Sequence, residues 1–250
     1  LMVKEIEADA KTFADARRTL IQAEKKAVLE VRVVDEPVTV VVSQKGWARA
    51  QKGWARERAG ANGAASVAGS GSGAAPAAEY TFKAGDALYG AFECRSVDTL
   101  LAFGSNGRIY SVPVASLPGA RGDGQPVTTL IEQESGTQLV HFFAGPAGAV
   151  LLLSGSGGYG FLATVENMIS RQKAGKAFFS LAEGEAVCAP SLVSLPAAGV
   201  GAPALPVATH VACASTGGRI LTFEIGDLRA MANGGRGLML IDLEAKDTLA

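Results

Sequence analysis

Histidine is almost missing from this sequence: 250 residues contain only His141 and His210, and both lie in apolar, strand-like stretches. Histidines in such settings are expected to be satisfied core or edge residues. The three cysteines, Cys94, Cys188 and Cys213, are odd in number and far apart. A disulfide framework and a paired-cysteine metal centre are thereby excluded, and a reducing cytoplasm is the expected setting. No Ser/His/Asp or Cys/His arrangement can be assembled, and no phosphate-loop motif occurs, so no autonomous enzyme is expected. No apolar run is long enough to span a membrane, and the N-terminus has no signal-peptide pattern. Charge of one sign is lacking too: 23 Lys/Arg face 24 Asp/Glu, a net charge of −1.

That neutrality is an average over uneven parts. Residues 1–37 hold seven basic and eight acidic groups, which leaves sixteen of each for the remainder. Between Gln44 and Arg58, however, Lys45, Arg49, Lys52, Arg56 and Arg58 stand against Glu57 alone. A basic side on a neutral body follows, and any contact with nucleic acid must rest on where the charges sit.

What the sequence has in quantity is repetition. Leu100 to Tyr110 joins an apolar run, a Ser-Asn-Gly turn, Arg108 and a second run of strand formers, the pattern of a β-hairpin. Val150–Leu162, Val211–Phe223 and Val38–Trp47 repeat it. Aligning Gly107, Gly158 and Gly218 also aligns Leu117, Met168 and Leu228, and then, without a gap, Gly124, Gly175 and Gly235. Each unit therefore ends in a glycine-bearing basic loop: Arg121-Gly122-Asp123-Gly124, Arg171 to Lys176 with Lys173 between, and Asn233 to Gly237 with Arg236. Units of about 50 residues rich in strands imply propeller-like blades, each of which needs a neighbour to bury its face. The chain is expected to be all-β from residue 37 to 250, with about four four-stranded blades.

Gly155-Ser156-Gly157-Gly158-Tyr159-Gly160 fits G-x-G-x-x-G, but a strand and not a helix is expected after it, so it is read as a hairpin turn. Residues 4–30 are rich in Ala, Glu, Lys and Arg and free of Gly and Pro, with Ile6, Phe13 and Leu20 at helical spacing. A helix or helix pair is expected there, with Asp15 capping the second segment. Residues 1–36 form that helical tail and linker, and Asp35-Glu36-Pro37 opens the first strand. Lys83-Ala84-Gly85 matches Lys173-Ala174-Gly175 and is read as the first unit's closing loop, which makes residues 59–78 a mobile Ala/Gly/Ser insertion of about 22 residues. Gln51 to Arg56 duplicates Gln44 to Arg49 and is expected to be loop. Residues 196–206 form a second loosened stretch.

Glycine beside Arg or Lys lets backbone amides and a cation approach a phosphate together. Stacked blades would bring such loops onto one rim. The candidate DNA contacts are Lys45, Arg49, Lys52, Arg56, Arg58, Lys83, Arg108, Arg121, Arg171, Lys173, Lys176, Arg219 and Arg236.

The segments Asp15 to Ile21, Val38 to Trp47, Lys83 to Asp86, Leu117 to Pro126, Gly158 to Phe161 and Arg171 to Ala177 resemble the C-terminal part of the A subunits of bacterial type II topoisomerases, topoisomerase IV above all and gyrase next. The resemblance covers nearly the whole chain. It implies a β-pinwheel whose blades exchange strands and whose basic edge binds and bends double-stranded DNA. It also implies a parent A subunit that forms a homodimer with two B subunits and works in the cytoplasm on decatenation and supercoil relaxation. The cleavage tyrosine belongs to a core outside this chain, so Tyr80, Tyr89, Tyr110 and Tyr159 inherit no catalytic role. This domain needs no cofactor, ATP and Mg being used elsewhere in the parent. Only degenerate matches to the gyrase Gln-Arg-Arg-Gly-Gly-Lys-Gly box occur, at Arg171–Lys176 and Asn233–Gly237, which favours capture over full wrapping. Relatives of the topoisomerase IV kind carry a fifth unit, whereas four are counted here, so either the chain is truncated or its ring is smaller, and an open arc with an exposed terminal blade is expected in place of a closed ring of five. A gyrase-type wrapping domain and a propeller-like protein-interaction scaffold stand as alternatives.

Overall fold

The computed structural model describes residues 2–13, 34–54, 80–119, 122–194, 209–244 and 246–250. The chain divides into two compact units, Leu1–Arg32 and Val33–Ala250. The first contains helix α1 (Met2–Phe13), with Met2, Val3, Ile6 and Phe13 all exposed. The second helical segment expected after Asp15 lies outside the described residues, as do the stretches 59–78 and 196–206.

The second unit is built from four hairpins, where the repeats placed them: β1–β2 (Pro37–Ser43, Trp47–Lys52), β4–β5 (Thr99–Gly104, Arg108–Pro113), β8–β9 (Val150–Ser154, Tyr159–Thr164) and β12–β13 (His210–Ala214, Ile220–Glu224). All four turn in the same way. The N–H groups of Gly46, Gly107, Gly158 and Gly218 donate to the carbonyls of Ser43, Gly104, Gly155 and Ser215, three residues back. Each of these glycines has φ between 77° and 85°, the left-handed conformation that a three-residue hairpin turn places before the returning strand. The G-x-G-x-x-G stretch is therefore a hairpin turn, with β9 following it.

The other strands are β3 (Leu88–Arg95), β6 (Gln125–Pro126), β7 (Leu139–Gly145), β10 (Lys176–Ala177), β11 (Ser191–Ser194) and β14 (Leu238–Met239). The sheet orders β3-β1-β2-β6, β10-β5-β4-β7 and β11-β8-β9-β14 define blades 1 to 3, and β12–β13 forms blade 4. In each complete blade one edge strand, β3, β7 or β11, comes from the blade's own unit. The opposite edge strand, β6, β10 or β14, is supplied by the following unit. Every complete blade is thus closed by its neighbour's chain. In blade 4 the pairing on the β12 side starts at Ala214, Ser215 and Leu249–Ala250. Among the described residues no strand pairs with the outer edge of β13, and Ile220 there is 75% exposed.

The exchanged strands set the register of the closing loops. Gly124, Gly175 and Gly237 have positive φ, and a Cβ on them would come within 2.5, 2.6 and 2.1 Å of the carbonyl oxygens of Ala48, Ile109 and Gly160, each two residues after its hairpin glycine. Gly237 is therefore the third equivalent, and not Gly235 as the gapless alignment has it. The earlier part of the loop keeps its register, since Gly119 bridges Ala50 and Ala230 bridges Leu162. The two extra residues fall between Ala230 and Gly237.

A second correction concerns Lys83-Ala84-Gly85. Its turn, Asp86 N–H to Lys83 carbonyl, matches Thr137 to Glu134, Glu185 to Ala182 and Asp247 to Glu244. Gly85, Gly136, Gly184 and Lys246 occupy the left-handed position in these turns. The N–H groups of Gln44, Ser105, Ser156 and Thr216 then donate to the carbonyls of Ala87, Gln138, Ala186 and Thr248. This turn leads into a blade's own edge strand and is not a closing loop. Gly46 to Gly85 spans 39 positions and Gly107 to Gly136 spans 29, so the first unit is longer by 10 residues and not 22. The duplicated stretch also differs from expectation: Gln51 and Lys52 complete β2, and of its described residues Gly53 and Trp54 leave the strand.

The core runs through the blades. Val40, Leu100, Leu101, Tyr110, Val112, Leu151, Phe161 and Met168 are fully buried within one cluster. The edge strands of successive blades are joined by Tyr89 against Phe142 and Phe92 against Phe143, both edge to face. A polar chain crosses three blades beside them. The Phe142 N–H donates to the Tyr89 hydroxyl (3.2 Å), which meets His141 Nδ1 at 3.1 Å, and His141 Nε2 lies 3.0 Å from the Val187 carbonyl. A carbonyl only accepts, so Nε2 carries the proton and Nδ1 accepts from Tyr89. Burial lowers the His141 pKa, and the bond to Val187 offsets part of that.

Two outcomes are expected. Gly237→Ala, which meets both the positive φ and the Gly160 carbonyl, should cost about 3 kcal/mol in chemical denaturation, against about 1 kcal/mol for Gly136→Ala, where only φ is at issue. His141 is held neutral in the fold, so on acidification the unfolded chain takes up the proton first. Stability should fall as pH drops below about 6.5 towards the lower folded value, and His141→Gln should flatten the melting-temperature slope between about pH 7 and 5.5.

Candidate nucleic-acid interface

Three pieces meet at one end of every complete blade: the hairpin tip, the turn before the blade's own edge strand, and the glycine loop of the exchanged strand. Backbone hydrogen bonds hold them together, the Val127, Phe179 and Leu240 N–H groups donating to the carbonyls of Gly46, Gly107 and Gly158. Equivalent tips therefore carry equivalent side-chain positions, and most of the candidate cations lie on them. Lys45 and Lys83 sit on blade 1, Arg108, Arg171, Lys173 and Lys176 on blade 2, and Arg236 on blade 3; Arg219 sits on the corresponding hairpin and turn of blade 4. Arg56, Arg58 and Arg121 lie outside the described residues.

The candidates differ in what their charges already hold. Arg49 is 3% exposed and occupies the position taken by Tyr110 and Phe161 in the next two hairpins. Its Nη1 donates to the carbonyls of Thr81 (3.0 Å) and Gly122 (2.8 Å), its guanidinium lies 5.4 Å from the Phe82 ring, and its Nε is buried with no hydrogen-bond partner. Arg49 is an internal clamp between the turn and the exchanged loop, which removes it from any surface track. Arg108 does a similar task, donating to the carbonyls of Ala174 and Gly175, with Glu134 at 3.8 Å. Lys176 donates to the Asn167 carbonyl and stands 5.2 Å over Phe178. Lys52 pairs with Glu36 at 2.9 Å, at the far end of β2 from the tip.

Arg236 and Arg219 are paired with carboxylates. Arg236 lies over Tyr159 at 4.3 Å, and its Nη2 is 2.6 Å from Glu185 Oε1. Arg219 faces Glu244 at 3.6 Å and Asp247 at 3.9 Å. Asp247 is held down to about 2 by hydrogen bonds from Ser215, Thr216 and the N–H groups of Gly217 and Thr248. Asp86 clips blade 1 in the same way. Burial pushes its pKa up, but bonds from Ser43, Lys45 N–H and Ala87 N–H, together with the Lys45 charge, bring it below the ordinary value.

Lys45, Lys83, Arg171 and Lys173 remain, all exposed and, among the described residues, none in an ion pair. Lys83 Nζ stands 3.5 Å from the centre of the Trp47 ring, so an aromatic face holds the ammonium at the tip. Trp47, Glu134, Glu185 and Asp247 do not figure among the sequence candidates. The signal for the carboxylates was the acidic residue that accompanies Gly85, Gly136, Gly184 and Lys246 in each turn. Among the described residues no three His, Cys, Asp or Glu side chains gather as a metal site, and no helix is long and apolar enough to cross a membrane.

Comparison with known proteins agrees with this geometry. The family described as DNA gyrase C-terminal domain, beta-propeller, matches residues 98–130 and 209–250. The A subunit of DNA topoisomerase 4 from Neisseria gonorrhoeae is 37% identical over the full chain, and its counterpart from Pseudomonas aeruginosa is 34% identical over 94% of it. The chain spans 29% and 28% of those two proteins. The C-terminal domain of E. coli ParC superposes with a TM-score of 0.67 at 28% identity, covering 86% of this chain and 78% of that one. Strand-exchanged blades, tip glycines and similarity along the whole length agree: the chain belongs to the family of C-terminal domains of topoisomerase IV A subunits, related to those of gyrase A.

Proposed function

We propose that this chain is the DNA-capturing domain of the topoisomerase IV A protein. It binds duplex phosphates on its blade tips, bends the duplex, and presents it to a cleavage core elsewhere in a homodimer of A subunits joined by two B subunits. It does no chemistry itself and holds no cofactor, ATP and Mg serving other parts of a cytoplasmic enzyme that decatenates and relaxes DNA. The observation that supports this reading is the recurrence of one backbone-defined tip, which has Lys45 and Lys83 on its hairpin and edge-strand turns in blade 1 and Arg171 and Lys173 on its closing loop in blade 2. Distributed lysine and arginine contacts give sequence-independent affinity, and several of them together offset the few kcal/mol that bending a short duplex costs. The short-range pairing of Arg236 and Arg219 favours a limited capture over the extended wrapping of a gyrase-type domain.

Affinity for a labelled linear duplex as a function of salt tests the reading. The wild-type chain should show a steep linear fall of log affinity with log salt. Lys45→Glu with Lys83→Glu should weaken binding at least about ten-fold and flatten the slope by roughly 1.8, the loss of two phosphate contacts. A wild-type affinity indifferent to salt would remove the DNA reading. Arg49→Ala should behave in the opposite manner, lowering stability by about 2–4 kcal/mol through the carbonyls it leaves unsatisfied while the salt slope stays where it was.

A further inference from the structure

The turn before each blade's own edge strand has the same backbone in all four blades but not the same charge. Its first position is Lys83 in blade 1, Glu134 in blade 2, Ala182 in blade 3 and Glu244 in blade 4; its fourth is Asp86, Thr137, Glu185 and Asp247. Where blade 1 presents an ammonium, blades 2 and 4 present a carboxylate at the same backbone site. In blade 3 the carboxylate comes from the fourth position, and it is firmly built in. Glu185 is 14% exposed, its Oε2 accepts the Ala182 N–H at 2.7 Å, and its Oε1 takes Arg236 at 2.6 Å. It also fills the space that a Cβ on Gly157 would need. Arg236 is the more open partner, 43% exposed, with its guanidinium steadied on Tyr159. Arg236 is thus an exposed guanidinium whose charge is already paired.

We propose that the turn carboxylates of blades 3 and 4 set where the duplex track ends, whereas Glu134 of blade 2 faces Arg108, whose guanidinium already holds the Ala174 and Gly175 carbonyls. Lys45, Lys83, Arg171 and Lys173 carry the duplex across blades 1 and 2, and Glu185 in blade 3, with Glu244 and Asp247 in blade 4, satisfies the arginine that would extend it. A phosphate approaching Arg236 must displace a carboxylate that is already desolvated and doubly hydrogen-bonded, so the exchange gains little. The proposal rests on the DNA reading above and refines it: the domain holds a short segment on one half of its tips, and the limit is written in acidic residues.

Two variants of the full 250-residue chain test it against the same labelled linear duplex. Glu185→Gln keeps the shape and an oxygen for Ala182 while releasing Arg236. It should raise affinity about five-fold and steepen the salt slope by about 0.9, one added phosphate, and Arg236→Ala in the same background should cancel the gain. Glu244→Lys gives blade 4 the charge that blade 1 has at that site. Glu244 is 81% exposed, so the change leaves packing alone. Its gain should exceed that of Glu166→Lys, an equal charge change at an exposed site at the opposite end of the β8–β9 hairpin from its tip. Unchanged affinity and slope in a folded Glu185→Gln chain, or equal gains for Glu244→Lys and Glu166→Lys, would overturn the proposal. Should Glu185→Gln fail to fold, the two lysine variants decide alone. A wild-type chain with no salt-dependent binding would instead overturn the DNA reading on which it stands.

Discussion

An unpaired strand edge is a row of hydrogen-bonding groups that must find partners or be shielded. In this fold the outer edge of each of the first three hairpins is satisfied by a two-residue strand from the next unit along the chain. The glycines that admit those strands, Gly124, Gly175 and Gly237, touch backbone oxygens of the hairpin they close, so the exchange leaves no room for a side chain. Everything at the blade tips depends on that seam. The exchanged loop brings Arg171, Lys173 and Arg236 to a hairpin that is not their own, and buried Arg49 and half-buried Arg108 spend their guanidinium groups holding the loop's carbonyls. Two of the chain's arginines thus serve the seam, although their spacing alone reads as surface charge.

This division of labour follows from the side chains themselves. A guanidinium offers five donors in a fixed plane and can bind two carbonyls at once, which suits the internal clamp. An ammonium is a compact, well-hydrated charge that is costly to bury. Most of the uncommitted cations at the tips are accordingly lysines, one of them held in place by Trp47. Counting Lys and Arg together along the sequence merges two functions that burial separates.

The repeats made the four hairpins, the all-β class and the alignment of the tips legible in the sequence, because an apolar run, a turn glycine and a second run are locally determined. Blade closure was less legible. Lys83-Ala84-Gly85 and Lys173-Ala174-Gly175 are the same three residues and both place glycine at positive φ, so local sequence assigns them one role. They differ in the bond that closes the turn, from Asp86 N–H to Lys83 in one and from Gly175 N–H to Gln172 in the other, and in what they pair with: one leads to its own hairpin, the other to its neighbour's. The shift from Gly235 to Gly237 has the same origin. Several glycines in a row tolerate the left-handed conformation, and contact with the Gly160 carbonyl selects among them. Of the candidate contacts, those on tips were identifiable from glycine and charge. The commitment of Arg49, Arg108, Arg219 and Arg236 was not, because Thr81, Ala174, Asp247 and Glu185 are distant in sequence from the arginines they meet.

Because main-chain groups define the tip, its side chains are free to vary without cost to the fold. Four hairpin turns and four edge-strand turns keep the same hydrogen bonds while the residue before the tip glycine changes from Lys45 through Asn106 to Gly157 and Gly217, and the fourth residue of the edge-strand turn from Asp86 through Thr137 to Glu185 and Asp247. Lys246 even takes the left-handed position that glycine fills in the other three turns, so the backbone pattern survives an unfavourable residue. A scaffold of this kind separates two demands that usually conflict. The seam between blades requires fixed glycines and buried arginines, whereas the path of a polyanion across the tips is set by single exposed charges. A near-neutral chain can then be selectively basic, since the sign at each equivalent site, and not the total, decides how far a duplex is followed.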